Sequence, residues 1–282
     1  MMKSKTPFRW SKAVLYLLMA VMSLPFVFPT LWMVLSSFKP EAELFRKPPT
    51  LLPDVWTTQP YVDAVTQQPF WDWYLNSVYI ATLVTVGTIL FSSLAGYAFA
   101  RIRFPGANAL FFIVLAGMMI PSEVTIVPLY RGAAALGLVD THWPLILLPM
   151  LGAPSVLATF IMRQFFLSLP VELEEAARLD GLGRFGIFWR IAFPLSRSAI
   201  GAVAIITFLK SWNLYLEPLV FLSTKAKFTL PLGLVQYVDS YGAMQWNTQL
   251  AATTMTVIPI LLVFLFAQKQ FVQGLAQTGL KG

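Results

Sequence analysis

Residues 73–100 read WYLNSVYIATLVTVGTILFSSLAGYAFA, and no charged side chain lies between Asp72 and Arg101. A transmembrane helix needs about 20 apolar residues, because each residue adds about 1.5 Å along the helix axis and the hydrocarbon core is roughly 30 Å thick. This stretch is therefore long enough to cross a bilayer. It predicts an integral membrane protein built from α-helices.

Three further stretches of comparable length carry no charge, and two more are apolar but interrupted. Glu123 lies within the first interrupted stretch, and Lys210 and Glu217 lie within the second. We interpret all six as membrane spans, which predicts an all-α protein with six transmembrane helices in a single transmembrane domain, residues 1–282. The expected spans are residues 13–35, 75–99, 109–130, 143–163, 198–222 and 249–268, with a cytoplasmic loop at residues 164–197.

The composition excludes several classes of enzyme. Hydrophobic residues make up 57% of the chain and charged residues 12%, whereas an ordinary soluble domain is roughly a quarter charged. The chain has no cysteine and one histidine, His142. These counts remove disulfide scaffolds, thiolate metal sites, cysteine nucleophiles and zinc-protease motifs. We therefore expect no catalytic residue and no metal site.

The placement of the basic residues predicts how the chain is oriented. With the N-terminus in the cytoplasm, 13 of the 20 Lys and Arg residues fall on the cytoplasmic side. This excess of Lys and Arg on one side is what the positive-inside rule describes, and the outer loops hold slightly more acidic than basic residues. Both termini are therefore expected in the cytoplasm. The basic residues on the cytoplasmic side of the membrane account for the net charge of +7. This charge therefore gives no reason to expect nucleic acid as a partner.

The cytoplasmic loop contains a short, bounded helix. Residues 168–194 read SLPVELEEAARLDGLGRFGIFWRIAFP, in which Ser168 and Pro170 are helix start signals and Gly181 can supply a left-handed stop. The small side chains of the adjacent Ala176 and Ala177 would allow part of this helix to fit into a groove of another protein. From the residues alone, both a docking helix and an ordinary amphipathic surface loop are open.

The spacing in this loop resembles the EAA motif of the membrane subunits of binding-protein-dependent ABC importers. That motif is Glu-Ala-Ala, three residues, Gly, nine residues and then Ile-x-Leu-Pro, and only Phe193 departs from it, at the position of the Leu. The resemblance implies that part of the loop couples to a separate ATPase subunit. The residues implied in coupling are Glu175, Ala176, Ala177, Asp180, Gly181 and Pro194.

Other blocks extend the resemblance over nearly the whole chain and narrow it to the maltose-type branch of the carbohydrate-uptake permeases. It implies the type I importer fold, a bacterial cytoplasmic membrane location and transport by alternating access. It also implies a homologous second permease subunit, two ATPase subunits and an extracytoplasmic solute-binding protein as partners. The blocks are SFKPEAELF from Ser37, LNSVYIATLVTVGTILFSSLAGYAFARIRFPG from Leu75, MIPSEVTIVPLY from Met119, LGLVDTHWPLILLP from Leu136 and FVQGLAQTGLKG from Phe271.

ATP is expected to act on another chain. No phosphate-binding G-x-x-x-x-G-K-[ST] occurs here, and the G-x-G-x-x-G that starts at Gly181 follows an acidic helix instead of the strand that dinucleotide binding requires. We expect no cofactor on this chain, with ATP and Mg on the ATPase subunits. By the same resemblance, the C-terminal tail with Gln273 and Gly274 is expected at the ATPase interface.

Lys210 lies near the middle of the expected fifth span, where a charge costs about 2.5 to 3.5 kcal/mol on insertion scales. Asn213 and Glu217 follow at spacings that place them on the same helix face. The resemblance puts the Trp212-Asn213 pair beside the translocation pathway. Two interpretations of Lys210 stay open: it contacts solute, or it pairs with a carboxylate such as Glu123.

The expected function is import of a sugar, an oligosaccharide or a sugar derivative by a permease subunit. Import of glycerol-phosphate or another anionic polyol is the alternative. An intramembrane transferase would need clustered acids for a divalent metal, and the densest acidic cluster, at residues 172–175, belongs to the EAA motif loop. An autonomous channel would give no reason for a bounded cytoplasmic helix.

Overall fold

The structure is a computed structural model that describes the backbone of residues 10–152, 155–238 and 241–279. Side chains are described for residue 12 and from residue 14 to residue 265, apart from the two internal gaps. Within these residues the chain is mostly helical and forms no sheet, only an isolated bridge between Val238 and Met244. The all-α prediction is confirmed.

The chain divides into two units: residues 1–68 with 237–255, and residues 69–236 with 256–282. The helices of the first unit are α1 (Trp10–Ser36), α2 (Glu41–Leu44) and α3 (Gln59–Thr66). Those of the second are α4 (Phe70–Arg101), α5 (Ala107–Ala116), α6 (Ser122–Ala135), α7 (Trp143–Leu151), α8 (Val156–Ser168), α9 (Glu172–Leu179), α10 (Arg184–Ile187), α11 (Phe193–Leu195), α12 (Arg197–Trp212), α13 (Leu216–Phe221) and α14 (Leu230–Leu234). The last helix, α15 (Trp246–Gly279), has residues in both units.

Four helical stretches in the described residues are long and apolar enough to cross a membrane. Two bent helix pairs raise the number to six if each pair is one span. They are Ala107–Met119 with Ser122–Ala135, bent by 99°, and Arg184–Leu195 with Arg197–Trp212, bent by 75°. The four stretches are Val14–Ser36, Phe70–Arg101, Trp143–Ser168, which includes α7, α8 and the two undescribed residues between them, and Trp246–Leu265.

The break in the third expected span falls at Pro121. The chain turns from a 3-10 turn, Gly117–Met119, into α6, and Ile120 and Pro121 between them are extended. Proline disfavours a helical conformation in the residue before it. Residues 109–130 are therefore not one straight helix.

The fifth expected span also differs from the prediction. Helix α12 ends at Trp212, and α13 begins only at Leu216. The side chain of Asn213 donates to the carbonyl oxygen of Leu209 at 2.8 Å, so it bonds back to the last turn of the helix it ends. The expectation that Asn213 and Glu217 share a face of one continuous helix with Lys210 is wrong.

In the second unit, α4 packs most extensively against α8 and α12. Small residues permit this close contact: a Cβ atom on Gly96 would lie 2.8 Å from both the backbone nitrogen of Arg163 and the Cβ of Met162. At one end of these packed helices lies a cluster of buried residues that includes Tyr97, Met162 and Phe188. The cluster fixes the end of α4 that precedes Arg101.

In the first unit, the segment after α1 is held by a buried lysine. Lys39 is 2% exposed, and its ammonium donates to the backbone carbonyl and to the hydroxyl of Thr50. The same ammonium lies 4.8 Å from the ring centroid of Trp32. Glu43 accepts hydrogen bonds from the Thr50 hydroxyl at 2.7 Å and from the Asp54 backbone at 3.0 Å. These bonds order a segment that carries only short helices.

Candidate functional site

Helix α9 is as short and as clearly ended as the sequence predicts. Gly181 has a φ of 81°, which is the left-handed conformation that favours glycine. Its N–H donates to the carbonyl of Arg178, and the N–H of Leu182 donates to the carbonyl of Ala177, both at 3.0 Å. This is a glycine stop of the Schellman type. At the other end, Ser168 does not start the helix, because it is the last residue of α8.

The residues implied in ATPase coupling do not all face outward. Ala177 is 3% exposed and turns into the protein. Pro194 lies half-buried in α11, beyond a single-turn π-helix at Phe188–Ala192. The other four of the six residues are exposed along α9 and at its C-terminal end: Glu175, Ala176, Asp180 and Gly181.

Sequence reasoning missed the role of Glu174. This residue is 5% exposed, and its Oε1 lies 3.1 Å from Nε of Arg101 at the end of α4. Its other oxygen lies 3.6 Å from Nη2 of Arg178, one turn further along α9. A signal was present, because Glu174 and Ala177 are three residues apart and so share a helix face. Their side chains are the two that α9 buries.

Lys210 of α12 lines a cavity of about 80 Å³. Glu217 of α13 lines the same cavity. Glu217 and Leu214 also line a second cavity of about 270 Å³. Shared lining residues mean that the two cavities border each other. The non-helical residues between α12 and α13 therefore bring an ammonium and a carboxylate to one space.

The polar groups around the first cavity are sparsely paired. Among the described residues, Lys210 has no carboxylate within the 4.0 Å of an ion pair. The hydroxyl of Ser211, which also lines this cavity, is buried and has no hydrogen-bond partner there. Glu123, the other acid considered as a partner, is exposed in the first turn of α6 and lines neither cavity.

Trp212 and Asn213 are the other two residues expected at the pathway. Trp212 is 3% exposed. Its ring stacks on Phe208, with centroids 5.5 Å apart, and meets Tyr74 edge-on at 6.1 Å. Asn213 is exposed at the end of α12. Neither residue lines either of the two cavities.

A second polar cluster joins the turn before α7 to the loop after α13. Asp140 accepts hydrogen bonds from the backbone N–H groups of Ser223 and Thr224, both at 2.9 Å, and from the ammonium of Lys227 at 2.9 Å. With the hydroxyl of Thr224, these donors hold the pKa of the Asp140 carboxyl well below its ordinary value of 3.8. We refer to Asp140, Thr224 and Lys227 as the loop latch. No sequence motif marked it.

His142 extends the loop latch. Its Nε2 lies 2.7 Å from the backbone carbonyl of Lys227, and its Nδ1 contacts the hydroxyl of Tyr79 on α4. The carbonyl can only accept, so Nε2 carries a proton and donates. The histidine thus ties the latch to α4.

Two further expectations concern the C-terminal tail and a metal site. At Gln273 and Gly274 the structure describes only the backbone, which belongs to α15. Within the described residues, no three His, Asp or Glu side chains come together as metal ligands would.

A family profile described as binding-protein-dependent transport system inner membrane component matches residues 88–277. The arabinooligosaccharides transport system permease protein AraQ of Halalkalibacterium halodurans is 41% identical over 91% of this chain and 91% of its own length. AraQ of Bacillus subtilis is 36% identical over the full length of both chains. The sn-glycerol-3-phosphate transport system permease protein UgpE of Yersinia pestis is 36% identical over 89% of this chain and 91% of its own.

A solved structure shares the fold. It is a bacterial ABC transporter involved in the import of the acidic polysaccharide alginate. The match has a TM-score of 0.80 at 23% identity, and covers 94% of this chain and 100% of that one. At this identity the likeness establishes the type I importer architecture and no more.

Proposed function

Since this chain belongs to the family of inner membrane components of binding-protein-dependent transport systems, it is a transport permease that works with other ABC components, and we propose that its solute is a saccharide or a sugar derivative. Relatives named for arabinooligosaccharides and for sn-glycerol-3-phosphate support this range of polyhydroxylated solutes. The observation that carries the proposal is the cavity that Lys210, Ser211 and Glu217 line in the second unit.

The proposed complex contains this chain, a homologous second permease, two ATPase subunits and an extracytoplasmic solute-binding protein. ATP and Mg bind to the ATPase subunits, and this chain is not itself an enzyme. Both termini lie in the cytoplasm, and the complex lies in the cytoplasmic membrane of a bacterium. The absence of a phosphate-binding loop from the sequence supports this division of labour.

The proposed contact with an ATPase subunit is the exposed surface of α9, formed by Glu175, Ala176, Asp180 and Gly181. Two of these residues carry little or no side chain, so a groove can close over the helix, and two supply negative charge for charge-assisted contacts. The glycine stop makes α9 a short rigid body, which suits it to transmit motion. Family resemblance also places Gln273 and Gly274 near the ATPase subunits.

The proposed solute contacts come from Lys210, Ser211 and Glu217. An ammonium and a hydroxyl donate to sugar hydroxyls or to an anionic group, and the carboxylate accepts from sugar hydroxyls. In an alternating-access cycle these groups bind solute when the second permease subunit completes the space. The unpaired ammonium favours an anionic sugar derivative or polyol as the second candidate solute.

The test is solute-stimulated ATP hydrolysis by the assembled complex in lipid nanodiscs. The panel contains neutral arabino-oligosaccharides, uronic acid oligomers and glycerol phosphate, each with its cognate binding protein. Stimulation by any member supports the proposal, and the member that stimulates most identifies the solute class. A complex that contains the ATPase subunits and responds to none of the panel contradicts it.

A further inference from the structure

We propose that the ion pair between Arg101 and Glu174 is the joint that carries the movement of α9 into α4. The proposal rests on the proposed function, because it takes α9 to be the helix that meets an ATPase subunit. It assigns Arg101 and Glu174 as positioning residues for transport. Neither residue belongs to the exposed surface of α9.

Both side chains of the pair are largely removed from solvent. The side chains of Arg101 and Glu174 are 10% and 7% exposed, and their charged atoms lie 3.1 Å apart. Arg178, by contrast, is 57% exposed and reaches Glu174 at 3.6 Å. A buried charge that loses its partner is strongly destabilising, whereas exposed pairs contribute little. The contact with Arg101 therefore does more than the contact with Arg178 to fix the position of Glu174.

Arg101 also holds the chain that leads into α9. Its Nη2 donates to the backbone carbonyl of Leu169, the residue that follows α8. One guanidinium thus joins three elements: the last turn of α4, the end of α8 and the first turn of α9. Such a fork of donors in fixed geometry is what arginine supplies and lysine does not.

The remaining attachment of α9 is slight. Of its eight residues, only Glu174 and Ala177 are buried, and the alanine contributes a single methyl group. Glu175, which follows Glu174 in the sequence, is exposed. The helix therefore turns one acid, Glu174, inward to Arg101 and leaves the other two, Glu172 and Glu175, exposed. Without the inward pair, α9 could tilt on its two flanking loops and leave α4 in place.

Helix α4 connects the pair to the cavity. It packs against α12, which carries Lys210, and against α7 and α8. The aromatic cluster one turn from Arg101, with Tyr97 against Phe166 at 5.5 Å and Phe188 at 5.3 Å, stiffens this end of the helix. A displacement of α9 that is held at Arg101 must therefore move α4 and its neighbours together.

The experiment replaces the ion pair by a chemical link that can be broken. The chain contains no cysteine, so Arg101→Cys with Glu174→Cys introduces a unique pair of thiols in a complex whose other subunits also lack cysteine. A short reducible bis-methanethiosulfonate reagent then joins them after assembly. The readout is the ratio of solute-stimulated to basal ATP hydrolysis, with Glu174→Gln as a second variant and Glu172→Gln, an exposed acid of the same helix, as the matched control.

We expect the ratio to fall at least fivefold in Glu174→Gln and in the unlinked double-cysteine complex, and to stay within twofold of the wild type in Glu172→Gln. Linking the thiols should restore most of the ratio, and reductant should abolish it again. A merely structural pair would not respond to a link made after assembly. A normal ratio in Glu174→Gln, or no recovery on linking, overturns the proposal. If the wild-type chain fails to bind an ATPase subunit at all, the proposed function fails instead.

Discussion

The carboxylate of Asp140 accepts two hydrogen bonds from Thr224, one from its backbone N–H at 2.9 Å and one from its hydroxyl at 2.6 Å. The two residues are 84 positions apart in sequence. Their contact closes the turn before α7 onto the loop after α13. Asp140 has a φ of 57°, a conformation that Asp and Asn tolerate better than most residues. The loop latch thus depends on an aspartate at a turn that few other side chains can occupy.

We expect Asp140→Asn to lower the melting temperature of the detergent-purified protein by several degrees at pH 7. Hydrogen bonds and Lys227 depress the pKa of this carboxyl in the folded state. A depressed pKa contributes stability above the unfolded-state value of about 3.9, and this stability is lost as the pH falls below that value. The difference from wild type should therefore be constant from pH 7 to 5 and shrink below pH 4.

The control for this measurement is Asp63→Asn, since Asp63 accepts one exposed hydrogen bond from Gln59. It should change the melting temperature little at any pH. A melting curve for Asp140→Asn that matches the wild type at pH 7 would show that the loop latch adds nothing to stability.

We expect Gly96→Ala to destabilise the protein although alanine favours helices by about 1 kcal/mol over glycine. The added methyl would meet backbone and Cβ atoms of α8 at 2.8 Å, and overpacking of this kind costs about 1 to 3 kcal/mol. Gly87→Ala is the matched control, because its nearest neighbour is the flexible side chain of Met150. Thermal unfolding of both variants in detergent should rank Gly96→Ala below Gly87→Ala; the reverse order would contradict the close contact of α4 with α8.

We expect Lys210→Met to reduce solute-stimulated ATP hydrolysis about tenfold or more while the yield of assembled complex persists. The ammonium has no ion-pair partner among the described residues, so its removal leaves no unpaired carboxylate of the fold. Glu217→Gln should act in the same direction, because Glu217 lines the same cavity. Glu123→Gln, away from the cavity, should have little effect.

The matched control for this charge is Lys225→Met, which removes an exposed lysine. The alternative interpretation of Lys210 makes a different prediction. If Lys210 serves the fold, Lys210→Met lowers complex yield or thermal stability and leaves the order of preference among neutral and anionic solutes unchanged. That combination would remove Lys210 from the proposed solute contacts.

We expect Glu175→Ala combined with Gly181→Leu to release the ATPase subunit while the chain stays inserted in the membrane. Glu175 is exposed, so its loss should reach the partner contact and spare the fold. Leucine at Gly181 adds bulk and strains a left-handed position by roughly 1 to 2 kcal/mol. The measurement is co-purification of the ATPase subunit, with Glu172→Ala as control. Undiminished co-purification and uptake in the double variant would refute the contact.

The sequence was sufficient where local chemistry decides the structure. The long uncharged runs predicted the helices that include Phe70–Arg101 and Trp246–Leu265, since burial of apolar residues in lipid needs no partner from elsewhere in the chain. Gly181 predicted the end of α9 because only its own φ is involved. The EAA motif likewise indicates the family, because its residues are close together in the sequence.

The tertiary structure decided what depends on residues distant in sequence. It turned Glu174 inward to Arg101, 73 positions earlier, and left Glu175 exposed. It buried Trp212 against Tyr74 and brought Glu217 to the cavity of Lys210 across a break that the apolar pattern did not mark. A hydropathy pattern records what each side chain prefers, whereas the direction in which a side chain faces depends on the neighbours that packing supplies.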